Sequence, residues 1–197
     1  MNFTAEQFVK FANLNHRRLA HIQRYNTTPV AIRESVAEHS YFVTMYVWML
    51  CEYLIDRGEK IDVLKAMKRG LIHDIEESIS GDIIMTFKYK NKEFAESLQK
   101  LNLASMEELT KDLPDKLSKE IKREWEDAKD LTKEGFIVKA ADKLSLMTYC
   151  IEQLRIGNKY FEPIYGRAVK AISDMNLPWL DEILEQFIKF NNSSQVE

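Results

Sequence analysis

Apolar residues recur at intervals of three and four along most of this chain, the period that lines them up on one face of an α-helix, and no segment alternates like a half-buried strand. The pattern predicts an all-α helical bundle. A first helix is expected from Thr4, whose hydroxyl can cap while Gln7 reaches back, to about Ala20, with Phe8, Phe11, Ala12 and Leu19 facing inward. The next segment, Gln23 to Glu34, holds Asn26, Thr27, Thr28 and Pro29 without a helical stripe and reads as a structured connection carrying Arg24 and Arg33. Ser35 and Glu38 form a capping-box pattern that opens a second helix ending near Gly58, which places His39 in its first turn. Asp62 caps a third helix expected to continue to about Ile79, so that His73, Asp74 and Glu77 share one helix stopped by Ser80 and Gly81.

From Asp82 to Asn91 the pattern weakens into a loop, and loops so placed often touch ligands. Charged amphipathic helices follow, roughly from Glu93 to Lys111 and from Pro114 to Lys129, and read as a solvated flank. Thr132 opens a long helix reaching about Gly157, rich in Phe136, Ile137, Val138, Leu144, Leu146 and Met147, with Asp142 inside that apolar run. Two further helices, near Tyr160 to Met175 and Pro178 to Phe190, close a single domain over residues 1–190, with 191–197 a flexible tail. Trp48, Trp125, Trp179 and the stripe Phe42, Met45, Met49 sit on helical patterns and are assigned to the core, without chemistry.

At 197 residues and 45% hydrophobic content the chain suits one core better than two. A formal charge of -3, from 28 basic and 31 acidic residues, leaves no broad cationic surface for a long nucleic acid, although local cations can hold a small anion. Cys51 and Cys150 both lie in apolar stretches, which suits free thiols in a reducing cytoplasm. The longest apolar region, Tyr41 to Ile55, is interrupted by Thr44 and Glu52 and is shorter than the roughly 20 residues of a membrane span. No membrane partner and no secretory signal are expected.

His73 and Asp74 enter an apolar setting between Ile72 and Ile75, and burying a carboxylate without a partner is costly. A metal ion is one of the few partners that compensates it. Glu77 is expected one turn after His73, within reach of a water at the same centre. Taken singly, each residue has an ordinary reading: His73–Asp74 a surface pair, His39 a half-buried histidine, Asp142 a salt-bridge partner of Lys139. The combination is more specific: a first-turn His, then His-Asp with a Glu three residues on, then an Asp in a late apolar helix.

The stretches Val36-Ala37-Glu38-His39-Ser40, His73-Asp74-Ile75-Glu76-Glu77 and Lys139-Ala140-Ala141-Asp142-Lys143-Leu144 resemble the HD-domain 5'-deoxynucleotidases of bacteria and their phage-encoded relatives. The resemblance extends over about residues 5–175, includes Arg24 and Tyr25 ahead of His39, and continues into Gly81-Asp82. It implies an HD-type bundle in which His39, His73, Asp74 and Asp142 bind one divalent transition metal such as Co, Mn, Zn or Fe. It implies that Arg24 orients the phosphate and Glu77 acts as general acid or base. Tyr25, His39, Asp74 and Asp142 would also contact substrate, and Asp82, Ile83, Ile84 and Met85 would line the sugar and base. The implied reaction is removal of the 5'-phosphate from a deoxyribonucleoside monophosphate, by a homodimer whose interface the apolar residues of the C-terminal helices either supply or leave to other surfaces by completing the core themselves.

This sequence departs from the family pattern in carrying Tyr25 where a Trp is usual and in lacking prolines after Gly81-Asp82, so sugar and base selectivity are open. Other readings keep the same shape. A dNTP triphosphohydrolase of the dATPase kind would use the metal site with Arg17, Arg18, Arg33, Lys88 and Lys90 as further cations, and a non-catalytic HD-fold binding module would have no need of the full ligand set. A cyclic-nucleotide phosphodiesterase with two metals would need more histidines than the 4 present.

Overall fold

Thr4 and Gln7 cap the start of the chain reciprocally: the Gln7 backbone N–H donates to Thr4 Oγ1 at 3.2 Å, and the Thr4 N–H donates to Gln7 Oε1 at 3.1 Å. The computed structural model describes residues 3–12, 15–83 and 91–193. The capped helix α1 (Ala5–Ala12) is shorter than predicted, and Asn15–Ala20 winds as a 3₁₀ turn. Of the residues expected to face inward, Leu19 is buried, Phe11 and Ala12 are half-buried, and Phe8 is exposed. The connection to the next helix is irregular, as expected, and is tied at its base by an isolated bridge between Gln23 and Ser35.

Helix α2 (Val36–Ile55) begins at the predicted cap, with the Glu38 N–H donating to Ser35 Oγ and the Ser35 N–H donating to Glu38 Oε2. Its inner face carries His39, Val43, Val47, Leu50, Cys51 and Leu54. Helix α3 (Val63–Ile72) starts at Asp62, whose carboxylate accepts from the Lys65 N–H at 3.0 Å. Gly70 lets α3 lie close to α2, because a Cβ there would come within 3.1 Å of Val47 Cγ2.

The third helix does not continue to Ile79. It ends at Ile72, and the chain crosses residues 73–76 on the tighter bonds Ile75 N–H to Ile72 O and Glu77 N–H to Asp74 O, each 3.1 Å, before the short helix α4 (Glu77–Ser80). At the break the His73 side chain bonds back to its own helix. His73 Nδ1 lies 2.8 Å from the Gly70 carbonyl, the acceptor a continuing helix would offer to the Asp74 N–H.

Beyond Asn91 the order is α5 (Lys92–Thr110), α6 (Asp115–Glu126), α7 (Lys133–Arg155), a 3₁₀ turn at Lys159–Phe161, α8 (Glu162–Ser173) and α9 (Pro178–Ser193). Thr132 caps α7 as predicted, its hydroxyl accepting from the Gly135 N–H. The core is the seam of α2, α3 and α7, filled by Val43, Val47, Ile137, Val138, Leu144 and Met147. Ile172, Leu180 and Leu184 of the last two helices complete it. On the far side of α3, the buried Arg69 joins α3 to α6 and the following turn through Glu124 at 2.8 Å, Asp130 at 3.1 Å and Asp127 at 3.4 Å.

Two further expectations are corrected. Phe42, Trp48 and Met49 are exposed together with Tyr41, while Met45 is half-buried: α2 packs on its neighbours with one face only and presents this apolar stripe outward. Asn191 to Ser193 belong to α9, where Arg155 Nη2 donates to Asn191 Oδ1 at 2.8 Å; residues 194–197 of the expected tail lie outside the described ones. Among the described residues there is no strand, and no helix is long and apolar enough to cross a membrane.

Candidate metal centre and active site

Four separate elements bring the chemistry-bearing side chains together. The first turn of α2 supplies His39, the end of α3 supplies His73 and Asp74, the middle of α7 supplies Asp142, and the connection before α2 supplies Arg24. One ligating atom each of His39, His73 and Asp74 lies within 4.8 Å of the others. His73 Nε2 is 3.1 Å and His39 Nε2 is 3.8 Å from Asp74 Oδ2. Asp142 stands beside this trio, its Oδ1 3.3 Å from His39 Nε2.

The donor set suits a divalent transition ion. Both histidines are buried, and Nε2 of each is a buried nitrogen without a hydrogen-bond partner, an arrangement that is costly unless something binds there. His73 Nδ1, by donating to the Gly70 carbonyl, fixes the tautomer whose Nε2 lone pair faces the carboxylates. On His39 the corresponding partner is Ser145, one turn beyond Asp142 on α7, with its Oγ 3.1 Å from Nδ1. Two imidazole nitrogens with two carboxylates form a mixed set that favours a first-row transition ion over calcium.

The electrostatics keep both acids charged and His39 neutral. Burial, reinforced by the Arg24 guanidinium, pushes the His39 imidazole down to about 3. For Asp142, burial works against the charged form, but the ammonium groups of Lys129 and Lys143 overcome it and hold the carboxyl well below its usual range. Both lysines bind the same oxygen, Asp142 Oδ2, at 2.8 and 3.2 Å, which leaves Oδ1 turned toward His39. Asp74 is likewise held low: burial opposes its ionisation, and His73 and Lys129 outweigh that.

Arg24 reaches the centre from behind His39. Its Nη1 lies 2.9 Å from His39 Nδ1 and pairs with the buried Glu34 carboxylate. Arginine can only donate, so His39 Nδ1 accepts from Arg24 or, when it carries the proton, donates to Ser145, but not both at once. The direction of Arg24 depends on its neighbour Tyr25, which takes a left-handed φ of 58°. The Tyr25 ring stacks on Tyr149 at 5.2 Å and meets the edge of Phe161 at 5.2 Å, so a small second core holds this backbone and turns Arg24 toward the histidines.

Glu77 opens α4 immediately after the His73–Asp74 turn and is buried, although the expected continuous helical face joining it to His73 is broken. Asp82 and Ile83 follow Gly81, which has φ 74°, and are half-buried; among the described residues neither bonds to His39, His73, Asp74 or Asp142. Ile84, Met85, Lys88 and Lys90 lie outside the described residues. Lys139 is not the partner of Asp142; it lies 5.2 Å over the Phe136 ring. Arg33 is exposed, beside the shallow depression that Arg24 and Tyr25 also line.

Sequence reasoning missed Glu34, Lys129 and Ser145. Ser145 was within reach of it, because a residue three positions after Asp142 shares its helical face. Lys129, in the turn between α6 and α7, has no local signal linking it to Asp142.

Comparison with known proteins bears on this geometry. The sequence pattern of the YfbR-like 5'-deoxynucleotidase family matches residues 10–190. A 5'-deoxynucleotidase of Photorhabdus laumondii is 28% identical over 179 residues, covering 90% of each chain. An HD-domain phosphohydrolase of Listeria innocua superposes with a TM-score of 0.80 at 24% identity, over 91% of this chain and 87% of that one. The cyanophage S-2L HD phosphohydrolase, solved bound to dA and one catalytic Zn2+ ion, gives a TM-score of 0.60 at 17% identity, over 91% and 95%. These two structural likenesses speak for the fold alone.

Proposed function

Because the chain belongs to the YfbR-like 5'-deoxynucleotidase family and is thus a hydrolytic enzyme, we propose that it removes the 5'-phosphate from deoxyribonucleoside monophosphates at the His39, His73, Asp74 and Asp142 centre. The observation that carries this reading is the pair of buried, unpartnered Nε2 atoms of His39 and His73 facing Asp74 and Asp142, with Arg24 beside them. The relatives named as 5'-deoxynucleotidases support the substrate class, and the mixed imidazole and carboxylate donor set supports a transition ion.

A divalent ion held by those residues supplies, when bound, Lewis-acid activation of water and charge neutralisation at the phosphoryl group. His39 and His73 present neutral nitrogens to it, with tautomers set by Ser145 and by the Gly70 carbonyl. Arg24 orients the phosphate through its planar fork of donors, its charge kept in place by Glu34. Glu77 takes the proton of the attacking water or returns one to the leaving 5'-oxygen. Tyr25, Asp82 and Ile83 form the side toward sugar and base. The buried free thiols of Cys51 and Cys150 agree with a cytoplasmic protein, and the outward stripe of Tyr41, Phe42, Trp48 and Met49 on α2 is the surface we assign to a homodimer.

The test is release of phosphate from a panel of dNMPs, NMPs and dNTPs by metal-stripped protein, with and without cobalt, manganese or zinc, beside Asp74→Ala and Glu77→Ala. Metal-dependent phosphate from dNMPs, lost in both variants, is the expected result. Triphosphate released from a dNTP would replace this reading with that of a triphosphohydrolase, and no metal-dependent turnover would overturn both.

A further inference from the structure

Asp142 divides its two oxygens between different tasks. Oδ1 faces His39, while Oδ2 accepts from Lys129 at 2.8 Å and Lys143 at 3.2 Å. Lys143 is the next residue on the same helix, but Lys129 comes from the turn between α6 and α7 and enters from another wall of the site. Its ammonium also lies near enough to Asp74 to stabilise that carboxylate.

Position and charge balance both give this cation a use beyond holding Asp142. Side-chain exposure rises from 1% at His39 and 0% at His73, through 12% at Asp142 and 20% at Asp74, to 34% at Lys129. The histidines therefore form the floor, and Lys129, the most exposed of these side chains, marks the rim. A divalent ion would be neutralised by Asp74 and Asp142, Arg24 is already paired with Glu34, and Glu76 brings a further carboxylate near Lys129. A phosphate dianion arriving at such a centre meets no net positive charge unless Lys129 and Lys143 supply it. Lys129 spends one of its ammonium donors on Asp142 Oδ2, and an ammonium has others to offer.

We propose that Lys129 is a phosphate-contacting residue of this site, donating from the rim to an oxygen of the phosphoryl group while it holds Asp142 Oδ2. The assignment rests on the phosphohydrolase reading but does not depend on which nucleotide is cleaved. It separates Lys129 from a residue that only positions Asp142, because the two roles move different equilibria.

The experiment measures binding of inorganic phosphate to the metal-saturated full chain by titration calorimetry, and metal affinity separately without phosphate, for wild type, Lys129→Met, Lys129→Gln and Lys129→Arg. A charge-assisted hydrogen bond lost to phosphate is worth about tenfold or more in affinity. Lys129→Met and Lys129→Gln should therefore weaken phosphate binding by about that factor and raise KM for the cleaved nucleotide more than they lower kcat, with Lys129→Arg within about threefold of wild type. Metal affinity should be unchanged or tighter, since a competitor for Asp142 has gone. If metal affinity falls in the neutral variants while the metal-saturated forms bind phosphate as wild type does, Lys129 only positions Asp142 and the proposal is overturned. If wild type binds phosphate in a Lys129-dependent way but hydrolyses no deoxynucleoside monophosphate, this assignment stands and the substrate reading under Proposed function is what fails.

Discussion

Arg24 Nη1 lies 2.9 Å from His39 Nδ1, so the residue assigned to the phosphate touches the back of a residue assigned to the metal. The contact links the two functions, because His39 Nδ1 must release Arg24 when it carries a proton and donates to Ser145. Arg24→Ala should lower kcat/KM roughly 100-fold, the scale of losing one preorganised donor at a reacting oxyanion. Its metal affinity should not fall. Arg24→Lys should recover little of the activity, since an ammonium lacks the planar fork. Steady-state kinetics beside equilibrium dialysis of cobalt check both statements, and a loss of metal binding in Arg24→Ala would contradict the division of roles.

Ser145→Ala removes the side chain that fixes the tautomer of His39. Partners of this kind contribute about 10-fold to 100-fold in metal affinity. The variant should fold normally and bind cobalt or zinc more weakly by about that factor, read from competition with a chelator. Unchanged affinity would mean that Arg24, or the packing around the ring, orients His39 by itself.

Glu77→Gln keeps the shape of the side chain and removes its ability to accept a proton. With Glu77 as general acid or base, kcat should drop by roughly 100-fold or more. Metal binding and KM should stay close to wild type. A variant that loses metal instead would place Glu77 among the ligands, and its pH-rate profile would keep the wild-type shape.

Arg69 gives a stability prediction away from the active site. It is buried against Glu124 and Asp130, and burial of those carboxyls is outweighed by their hydrogen bonds, those of Glu124 to Arg69 and Arg123 and those of Asp130 to Thr132 and Arg69, so both are held below their usual range. Arg69→Met leaves Glu124 buried without this partner and should cost about 3–5 kcal/mol at neutral pH. Carboxyls whose folded pKa is depressed stabilise the fold above their ordinary unfolded value, near about 4, and lose that contribution as pH falls through the folded value. The gap between wild type and Arg69→Met in denaturant melts should therefore be full at pH 7 and narrow below about pH 4. A gap independent of pH would show that the cost is one of packing.

The sequence by itself determined the helical class, the caps at Thr4, Ser35, Asp62 and Thr132, and the residues that build the candidate centre. Those are local matters: a capping side chain bonds within its own turn, and a histidine or carboxylate in an apolar run signals its need for a partner wherever the fold takes it. Other features were decided only by the tertiary structure. The helix through His73 breaks where its imidazole bonds back to the Gly70 carbonyl, a contact the apolar period does not register. The stripe of Phe42 and Met49 faces outward because α2 has neighbours on one side only, and a period of 3.6 residues names a face without saying what covers it. Glu34 on Arg24, Ser145 on His39 and Lys129 on Asp142 meet across 10, 106 and 13 residues of sequence, and such contacts exist only once the bundle has closed.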